Sequence, residues 1–235
     1  YGVTLQICGA DQWGNSIAGV DLIRRIAGGE AHVWSTPLII NRATGKKFGK
    51  TEDGAIWLDD KKTSVFKFYQ FWINADDEGV GEYLKIYTDM DKPTIDEILE
   101  SHNEMRSSRL AQKHLAFEVT KIVHGQNRAE SVRRISEVLF GDEPFDTLSS
   151  EDFKELKSEL PTFIVKVGDN MLDVLVKTGL ADSKGNARRF MDASAIYING
   201  SQLSLEKTTI DLGDVIDGFV ILRRGKNVTA LLEIE

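Results

Sequence analysis

The sequence is short of cysteine, proline and histidine, and it has no long apolar run. Its 235 residues include one cysteine, four prolines and four histidines. The single thiol, Cys8, cannot form an internal disulfide, so we expect a reducing compartment, either the cytoplasm or an organelle matrix. Cysteine and histidine do not cluster, and we therefore expect no protein-bound metal. No apolar stretch reaches the roughly eighteen residues of a membrane helix and no signal peptide is visible, so we expect no membrane partner.

The chain is acidic overall, with a formal net charge of −8 and a pI near 5.2, yet it contains short basic stretches. The most informative of these is KKFGKT, from Lys46 to Thr51. Its amines lie on a predicted short turn and a hydroxyl follows them, which suits a ligand that carries phosphate charge. The stretch therefore indicates nucleotide chemistry.

Two other interpretations of this stretch have to be weighed. Gly45, Gly49 and the Lys50-Thr51 pair come close to the P-loop pattern, but the spacing is one residue short. A P-loop Lys-Thr pair also opens a helix, whereas Thr51 is followed by Glu-Asp-Gly, which is a poor helix start. We therefore reject the P-loop. A solvated basic hairpin tip is the other alternative, and it explains most Lys-rich turns.

The first 28 residues predict a strand, a polar turn and a helix. The strand is predicted over residues 3–8 and the turn over residues 9–15. One apolar helix face follows, formed by Ile17, Val20, Ile23 and Ile26. Open α/β sheets bind ligands at the carboxyl ends of their strands, so Asp11 and Gln12 become candidate ligand contacts. The alternative is that Asp11 caps the helix and Trp13 packs.

These two segments carry a family resemblance. The segment LQICGADQWGN, followed further along the chain by KFGKT, resembles the carboxyl half of the catalytic domain of bacterial-type tyrosyl-tRNA synthetases, which are class I aminoacyl-tRNA synthetases. The pair of motifs is far more specific than either motif alone. By this resemblance KFGKT is a variant of the mobile KMSKS loop of that class. The chain departs from the family at Cys8 and Ala10, where glycine and serine are more usual.

The resemblance implies a reaction and a set of site residues. The tyrosine carboxylate attacks the α-phosphate of ATP, which Mg²⁺ accompanies, and negative charge builds on the departing pyrophosphate. Three residues would stabilise that charge and so be catalytic: Lys47, Lys50 and Thr51. Phe48 and Gly49 would give the loop its flexibility. The tyrosine and ATP pocket would be lined by Gln6, Gly9, Asp11, Gln12 and Lys50.

The resemblance also implies that the chain is a carboxyl-terminal fragment. None of its histidines stands in the H-x-G-H arrangement of the family's HIGH motif, and the residues that select tyrosine would lie upstream. We therefore expect this chain alone to form no tyrosyl-adenylate and to bind ATP weakly. The family works as a homodimer through surfaces largely in the other half, so we expect the fragment to be monomeric.

Residues 63–161 are predicted to be helical. The aromatic row TSVFKFYQFW at residues 63–72 matches a family pattern, and its helical spacing favours core packing over base stacking. Further helices are predicted from Leu110 to Gly125 and up to Gly141, with a capping box within residues 93–97. The segment AQKHLAFEVTKIVHG resembles the family's middle domain, where His124 is expected to cap the helix.

The last part of the chain is predicted to be a compact α+β unit behind a linker at residues 160–168. Helices are expected at 171–180 and 184–191, with Ser183 as an N-cap, and strands at 195–198, 219–223 and 228–234. The order SKGNARRFMDASAIYING resembles the S-four RNA-binding domain at the carboxyl end of these synthetases. The candidate RNA contacts are Lys184, Arg188, Arg189, Arg223, Arg224 and Lys226. A solvated helix face is the alternative.

Together these patterns predict an α/β plus all-α plus α+β chain. Residues 1–77 would form a partial Rossmann-like catalytic half-domain, residues 78–161 an anticodon-side helical bundle, and residues 168–235 the S-four-type domain. The expected function is that of a tyrosine–tRNA ligase, with tRNA-Tyr, tyrosine and ATP as partners. The alternative is a stand-alone RNA-binding or regulatory module that retains half a nucleotide fold.

Overall fold

The fold is known from a computed structural model, which describes residues 2–42, 45, 50–51, 54–141, 143–203, 206–225 and 228–235. The chain divides into two compact units, residues 1–56 with 76–79, and residues 57–75 with 80–235. In the part of the chain that the structure describes, every helix is too short or too polar to cross a membrane.

The first unit contains a β-α-β element. Strand β1 (Leu5–Gly9) pairs in parallel with strand β2 (His32–Thr36), so that Gly9 lies opposite Thr36. Between them lie a 3₁₀ turn (Ala10–Gln12), helix α1 (Trp13–Leu22) and a π-helical turn (Ile23–Ala27). Gly28 ends this helix at φ 62°, a left-handed conformation that glycine adopts without a steric cost. The predicted strand, turn and helix are confirmed.

The apolar side chains of this β-α-β element are uncovered. No residue from 2 to 42 is buried, and Ile7, Ile26 and Trp34 are exposed to 61%, 77% and 62%. A parallel sheet normally buries both faces under helices. The exposure of these side chains is therefore unusual for a parallel β-α-β element.

Among its described residues, the second unit begins with six α-helices. They are α2 (Val65–Ile73), α3 (Val80–Tyr87), α4 (Lys92–Glu104), α5 (Leu110–His124), α6 (Gln126–Phe140) and α7 (Ser150–Glu159). The aromatic row forms α2, and its buried side chains belong to the core: Val65, Phe66, Phe68, Tyr69 and Trp72. Core packing of the row is thus confirmed.

The start of α4 differs from the prediction. The helix begins at Lys92, and its N-cap is Asp91, whose carboxylate accepts a hydrogen bond of 3.1 Å from the Thr94 backbone N–H. The capping box predicted within residues 93–97 was wrong. Asp91 wins because an aspartate is a strong N-cap and Pro93, which has no N–H to satisfy, is tolerated in the first turn.

The carboxyl-terminal part of this unit is a five-stranded sheet in the order β5-β9-β8-β6-β7. The strands are β5 (Thr162–Val165), β6 (Ile196–Ile198), β7 (Ser201–Gln202), β8 (Phe219–Arg224) and β9 (Val228–Ile234). Helices α8 (Met171–Lys177) and α9 (Lys184–Asp192) share a buried core with the sheet. The predicted linker is therefore wrong at residues 162–165, which form β5 parallel to β9 because their β-branched and aromatic side chains suit a strand.

Candidate functional site

The turn after β1 brings Gly9 and Asp11 into contact. A Cβ atom on Gly9 would lie 2.8 Å from a carboxylate oxygen of Asp11 and 3.0 Å from a methyl carbon of Leu38. A side chain at this position would have to displace the Asp11 carboxylate or the Leu38 methyl group. The N-cap position of α1 is Gln12, whose side chain makes no capping hydrogen bond.

The amide side chains around this turn are held in place by one another and by the backbone. The Asn15 side-chain amide donates to the side-chain oxygen of Gln12 at 3.1 Å. The Gln6 side-chain amide donates to the backbone carbonyl of Ile7 at 2.9 Å. Gln6 and Asn15 also line a cleft of about 370 Å³ between α1 and the two strands. Gly9, Asp11 and Gln12 lie at the carboxyl end of β1, whereas Gln6 is the second residue of that strand and lines the cleft at its other end. The hydrogen bond of Asn15 with Gln12 was not predicted, although a spacing of three residues puts the two side chains on one helix face.

The basic stretch falls partly on described residues. Lys50 and Thr51 form strand β3, which pairs antiparallel with strand β4 (Gly54–Ala55). Lys46, Lys47, Phe48 and Gly49 lie outside the described residues. Because Thr51 belongs to a hairpin strand and does not open a helix, the rejection of a P-loop is confirmed.

Helix α9 presents three of the candidate RNA contacts to solvent. Ser183 is its N-cap, as predicted, and accepts a hydrogen bond of 3.2 Å from the Asn186 N–H. The helix buries Ala187 and Met191 against the core. Its exposed basic side chains are Lys184, Arg188 and Arg189. Lys184 also forms an ion pair with Asp173 of α8.

Two further candidates, Arg223 and Arg224, lie on opposite faces of strand β8. The guanidinium groups of Arg189 and Arg224 lie over the same Phe190 ring, at 5.5 and 5.0 Å from its centroid. Arg223 points to the opposite face, as successive strand residues must, and lies over the Tyr197 ring at 4.8 Å. Lys226 lies outside the described residues. The contact of Phe190 with these arginines was not predicted, although an aromatic directly after an arginine pair is a signal for such stacking.

Two protein-family profiles match the chain. Residues 1–141 match the family described as tRNA synthetases class I (W and Y). Residues 152–232 match the tyrosine–tRNA ligase SYY-like C-terminal domain. The chain belongs to the tyrosyl-tRNA synthetase family.

Individual members of the tyrosyl-tRNA synthetase family extend this match. The chain is 43% identical over 235 residues to the tyrosine–tRNA ligase of Streptococcus equi subsp. zooepidemicus strain H70, covering 99% of this chain and 56% of that protein. It is 45% identical over 230 residues to tyrosine–tRNA ligase 1 of Enterococcus faecalis strain TX4000 / JH2-2, covering 96% and 54%. A C-terminally truncated Aspergillus nidulans mitochondrial tyrosyl-tRNA synthetase aligns with a TM-score of 0.50 at 32% identity, over 59% of this chain and 40% of that one. The chain spans about half the length of the curated relatives it matches.

In this member of the tyrosyl-tRNA synthetase family His124 packs against a ring. It is the last residue of α5, and its ring meets Phe68 edge to face with the centroids 4.9 Å apart. Burial, together with the nearby Arg128 guanidinium, lowers the pKa of His124 below its ordinary 6.5, against the opposing effect of Asp60. A neutral imidazole gives little help to the helix dipole, so packing explains this residue better than the predicted capping role.

Two histidines, His114 and His124, should make the free energy of unfolding depend on pH. Burial also lowers the pKa of His114, more than Glu118 raises it. Since both imidazoles take up protons more readily in the unfolded chain, the free energy of unfolding should be at its full value above pH 6.5. It should then fall as the pH drops through the lower pKa values of the folded state. Urea unfolding at pH 7.5, 6.5 and 5.5 should show this slope.

The pH slope can be assigned to these two side chains by substitution. In the double variant His114→Gln/His124→Gln, the free energy of unfolding should change less over the same pH range. His32→Gln, a change at an exposed site of the other unit, controls for the loss of a histidine as such. A double variant with the slope of the unaltered chain would contradict the assignment.

Proposed function

We propose that the full-length protein is a tyrosine–tRNA ligase, which activates tyrosine with ATP and transfers it to tRNA-Tyr in the cytoplasm or an organelle matrix. The observation that carries the proposal is the polar turn of Gly9, Asp11 and Gln12 at the carboxyl end of a parallel strand. In open α/β sheets that edge is where nucleotide-like ligands bind. The family match over residues 1–141 supports it.

The pocket residues have complementary chemistry for this reaction. The Asp11 carboxylate can accept hydrogen bonds from the tyrosine amino group or from ribose hydroxyls, and the amides of Gln6 and Gln12 can donate to a carboxylate or phosphate oxygen. Close approach at Gly9 leaves room for these groups at the strand end. In this proposal Mg²⁺ is part of the substrate, because it binds proteins largely through the phosphates of ATP.

The loop is assigned to the departing pyrophosphate. Lys47 and Lys50 would bring ammonium groups to its oxygens, and Thr51 a hydroxyl donor. Phe48 and Gly49 would let the loop close on the nucleotide and open again. The backbone pairing of Lys50 and Thr51 with β4 supports this, since the hairpin gives the loop a fixed base.

We also propose that this chain alone does not form tyrosyl-adenylate and is monomeric. The lack of activity is supported by the uncovered β-α-β element, in which apolar side chains such as Ile7 and Trp34 remain exposed. A pocket walled on one side only cannot exclude water from the reacting groups. The homodimer of the full-length protein would form through surfaces outside this chain.

The carboxyl-terminal part is proposed to bind tRNA-Tyr as an S-four-type domain at residues 168–235, beside an anticodon-side helical domain at 78–161 and a catalytic part at 1–77. Four cations support the RNA contact: Lys184, Arg188, Arg189 and Arg224. The first three are exposed on one helix, and the Phe190 ring joins Arg224 to them. An RNA backbone needs such a row of cations, and Phe190 adds a ring beside them.

Replacing Arg188 and Arg189 by alanine together should weaken tRNA-Tyr binding. Each lost phosphate contact lowers the slope of log K against log salt by about 1, so the double variant should lose up to about 2. Binding of a tRNA-Tyr transcript is measured between low and moderate salt. The matched control is Lys61→Ala/Lys62→Ala, which removes two exposed cations from the segment before α2. An unchanged slope in the arginine variant would refute the RNA face.

The rival interpretation, a stand-alone RNA-binding or regulatory module, is less favoured. The family match covers residues 1–141 as well as the carboxyl-terminal part. A module that only bound RNA would have no use for the polar cluster at the end of β1.

A further inference from the structure

The carboxyl-terminal part contains a small cavity beside α9. Its volume is about 260 Å³, and its walls come from the start of α8, from one face of α9 and from residues 207–208. Two of its lining residues, Met171 and Met191, are exposed to only 0% and 6%, so the floor of the cavity is apolar. Pockets for drug-sized ligands begin near about 300 Å³, and this cavity therefore suits a single flat ring system.

An arginine and an aspartate of α9 line the same cavity. Arg188 and Asp192 are exposed and lie four residues apart, which puts them on one face of the helix. Among the residues that the structure describes, neither side chain forms an ion pair or a hydrogen bond, although oppositely charged residues at this spacing often pair. The cavity thus combines a guanidinium donor and a carboxylate acceptor that are both available to a ligand.

The charges around the cavity do not favour a phosphate group. Its other cation, Lys207, forms ion pairs with Asp214 at 2.6 Å and with Asp211 at 2.9 Å. Lys207 and these two carboxylates carry a net negative charge, while Arg188 and Asp192 balance each other. A second anion would therefore gain little here. The cavity instead favours an uncharged ligand that accepts hydrogen bonds at one edge and donates them at another.

Among the four bases of RNA, guanine matches this arrangement best. Its O6 and N7 atoms accept the paired hydrogen bonds of a guanidinium, and its N1–H and N2–H₂ groups donate to a carboxylate. Adenine places an amino group where guanine has O6, so it would oppose the Arg188 donors. The flat face of a purine would rest against the thioethers of Met171 and Met191, which are soft, polarizable groups that pack well against rings.

We propose that this cavity binds one unstacked guanine base of the RNA, with Arg188 and Asp192 as specificity-determining residues. The inference rests on the proposed RNA-binding function. The same helix carries Lys184 and Arg189, which would hold the neighbouring phosphates, so a base attached to that backbone can reach the cavity. Proteins that read RNA sequence usually take up bases that are splayed out of the stack in this way.

Binding of labelled single-stranded RNA octamers to the whole chain tests the cavity. The probes are uridine runs with one central guanosine, inosine or adenosine, and fluorescence anisotropy gives each Kd. The unaltered chain should bind the guanosine RNA about ten- to a hundredfold more tightly than the adenosine RNA. Inosine lacks the N2 amino group, and its RNA should have an intermediate affinity.

Two substitutions assign the preference to the cavity. Asp192→Asn should lose the preference for guanosine over inosine, because an amide offers one acceptor oxygen where a carboxylate offers two. Arg188→Ala should weaken binding of the guanosine RNA more than binding of the adenosine RNA. The matched control is Asp182→Asn, which changes an exposed carboxylate just before α9 and outside the cavity. It should retain the full preference.

The outcomes separate the cavity from the function on which it rests. Equal affinities for the guanosine and adenosine RNAs would overturn the guanine site, and so would an Asp192→Asn variant with an unchanged preference. If guanosine monophosphate binds as tightly as the guanosine RNA, the cavity is a mononucleotide site and its assignment to RNA fails. A chain that binds neither the octamers nor a tRNA-Tyr transcript would refute the RNA-binding function itself, whereas RNA binding without base preference would refute only the cavity.

Discussion

Asp152→Ala should lower the free energy of unfolding of this chain by about 2–4 kcal/mol, because it removes a buried acceptor of several hydrogen bonds and an N-terminal cap. The substitution leaves the Arg134 guanidinium without its carboxylate and removes the acceptor for the Ser131 and Ser149 side chains. It also breaks the capping box of α7. Chemical denaturation with circular dichroism measures the change. Asp91→Ala, which removes an exposed N-cap carboxylate from α4, is the matched control and should cost much less.

The same carboxylate should contribute to acid unfolding. Burial acts to raise the pKa of Asp152, but the hydrogen bonds from Arg134, Ser131 and Ser149 outweigh it and hold the pKa below the ordinary 3.8. A lowered pKa stabilises the folded state fully above pH 3.8, and this contribution is lost as the pH falls through the folded value. Asp152→Ala should therefore show less loss of stability below pH 4. A variant as stable as the unaltered chain at pH 7 would show that the network contributes nothing.

Lys50→Ala in the full-length protein should slow tyrosine activation by about a hundred- to a thousandfold, the usual effect of removing one preorganised charge donor. The proposed role of the ammonium is to stabilise charge that develops on pyrophosphate only in the transition state. The loss should therefore appear mainly in kcat, with little change in the KM for tyrosine. Tyrosine-dependent exchange of pyrophosphate into ATP measures both constants.

The control for this experiment is Lys61→Ala, which removes an exposed lysine from the segment after the hairpin. It should leave the exchange rate nearly unchanged. Equal rates for Lys50→Ala and the unaltered protein would remove the loop from the mechanism. A loss confined to KM would instead mean that Lys50 binds ATP equally in the ground and transition states.

Much of the helical structure followed from local patterns. The aromatic row predicted α2 and its core face, because a spacing of three and four residues puts Val65, Phe68 and Trp72 on one side of a helix. Ser183 predicted the start of α9, since its hydroxyl can reach the Asn186 N–H from within the same turn. The cap of α4 was misplaced by a few residues because Asp91 and Thr94 are both good capping residues, and only the backbone of that turn decides between them.

The candidate site could be predicted only in part. The polar turn after β1 followed from its place at a strand end, but the close approach of the Leu38 side chain to Gly9 depends on a later segment of the chain. The arginine pair on β8 looked like one basic patch in sequence. The two arginines are in fact on separate faces, because neighbouring strand residues point to opposite sides of a sheet. Arg224 lies over the Phe190 ring, and Arg223 lies over the Tyr197 ring.

The amino-acid order alone determined the family, most helices and most strands, and it named the groups proposed to bind phosphate, since these depend on residue types and spacings within a few turns of chain. The packing of distant segments decided which charged side chains have structural contacts instead. Arg223 donates to Leu139, and Asp152 bonds to Ser131 and Arg134 of another helix, across separations that no local periodicity reports. The physical reason is that a buried charge is stable only where packing brings its partners to it.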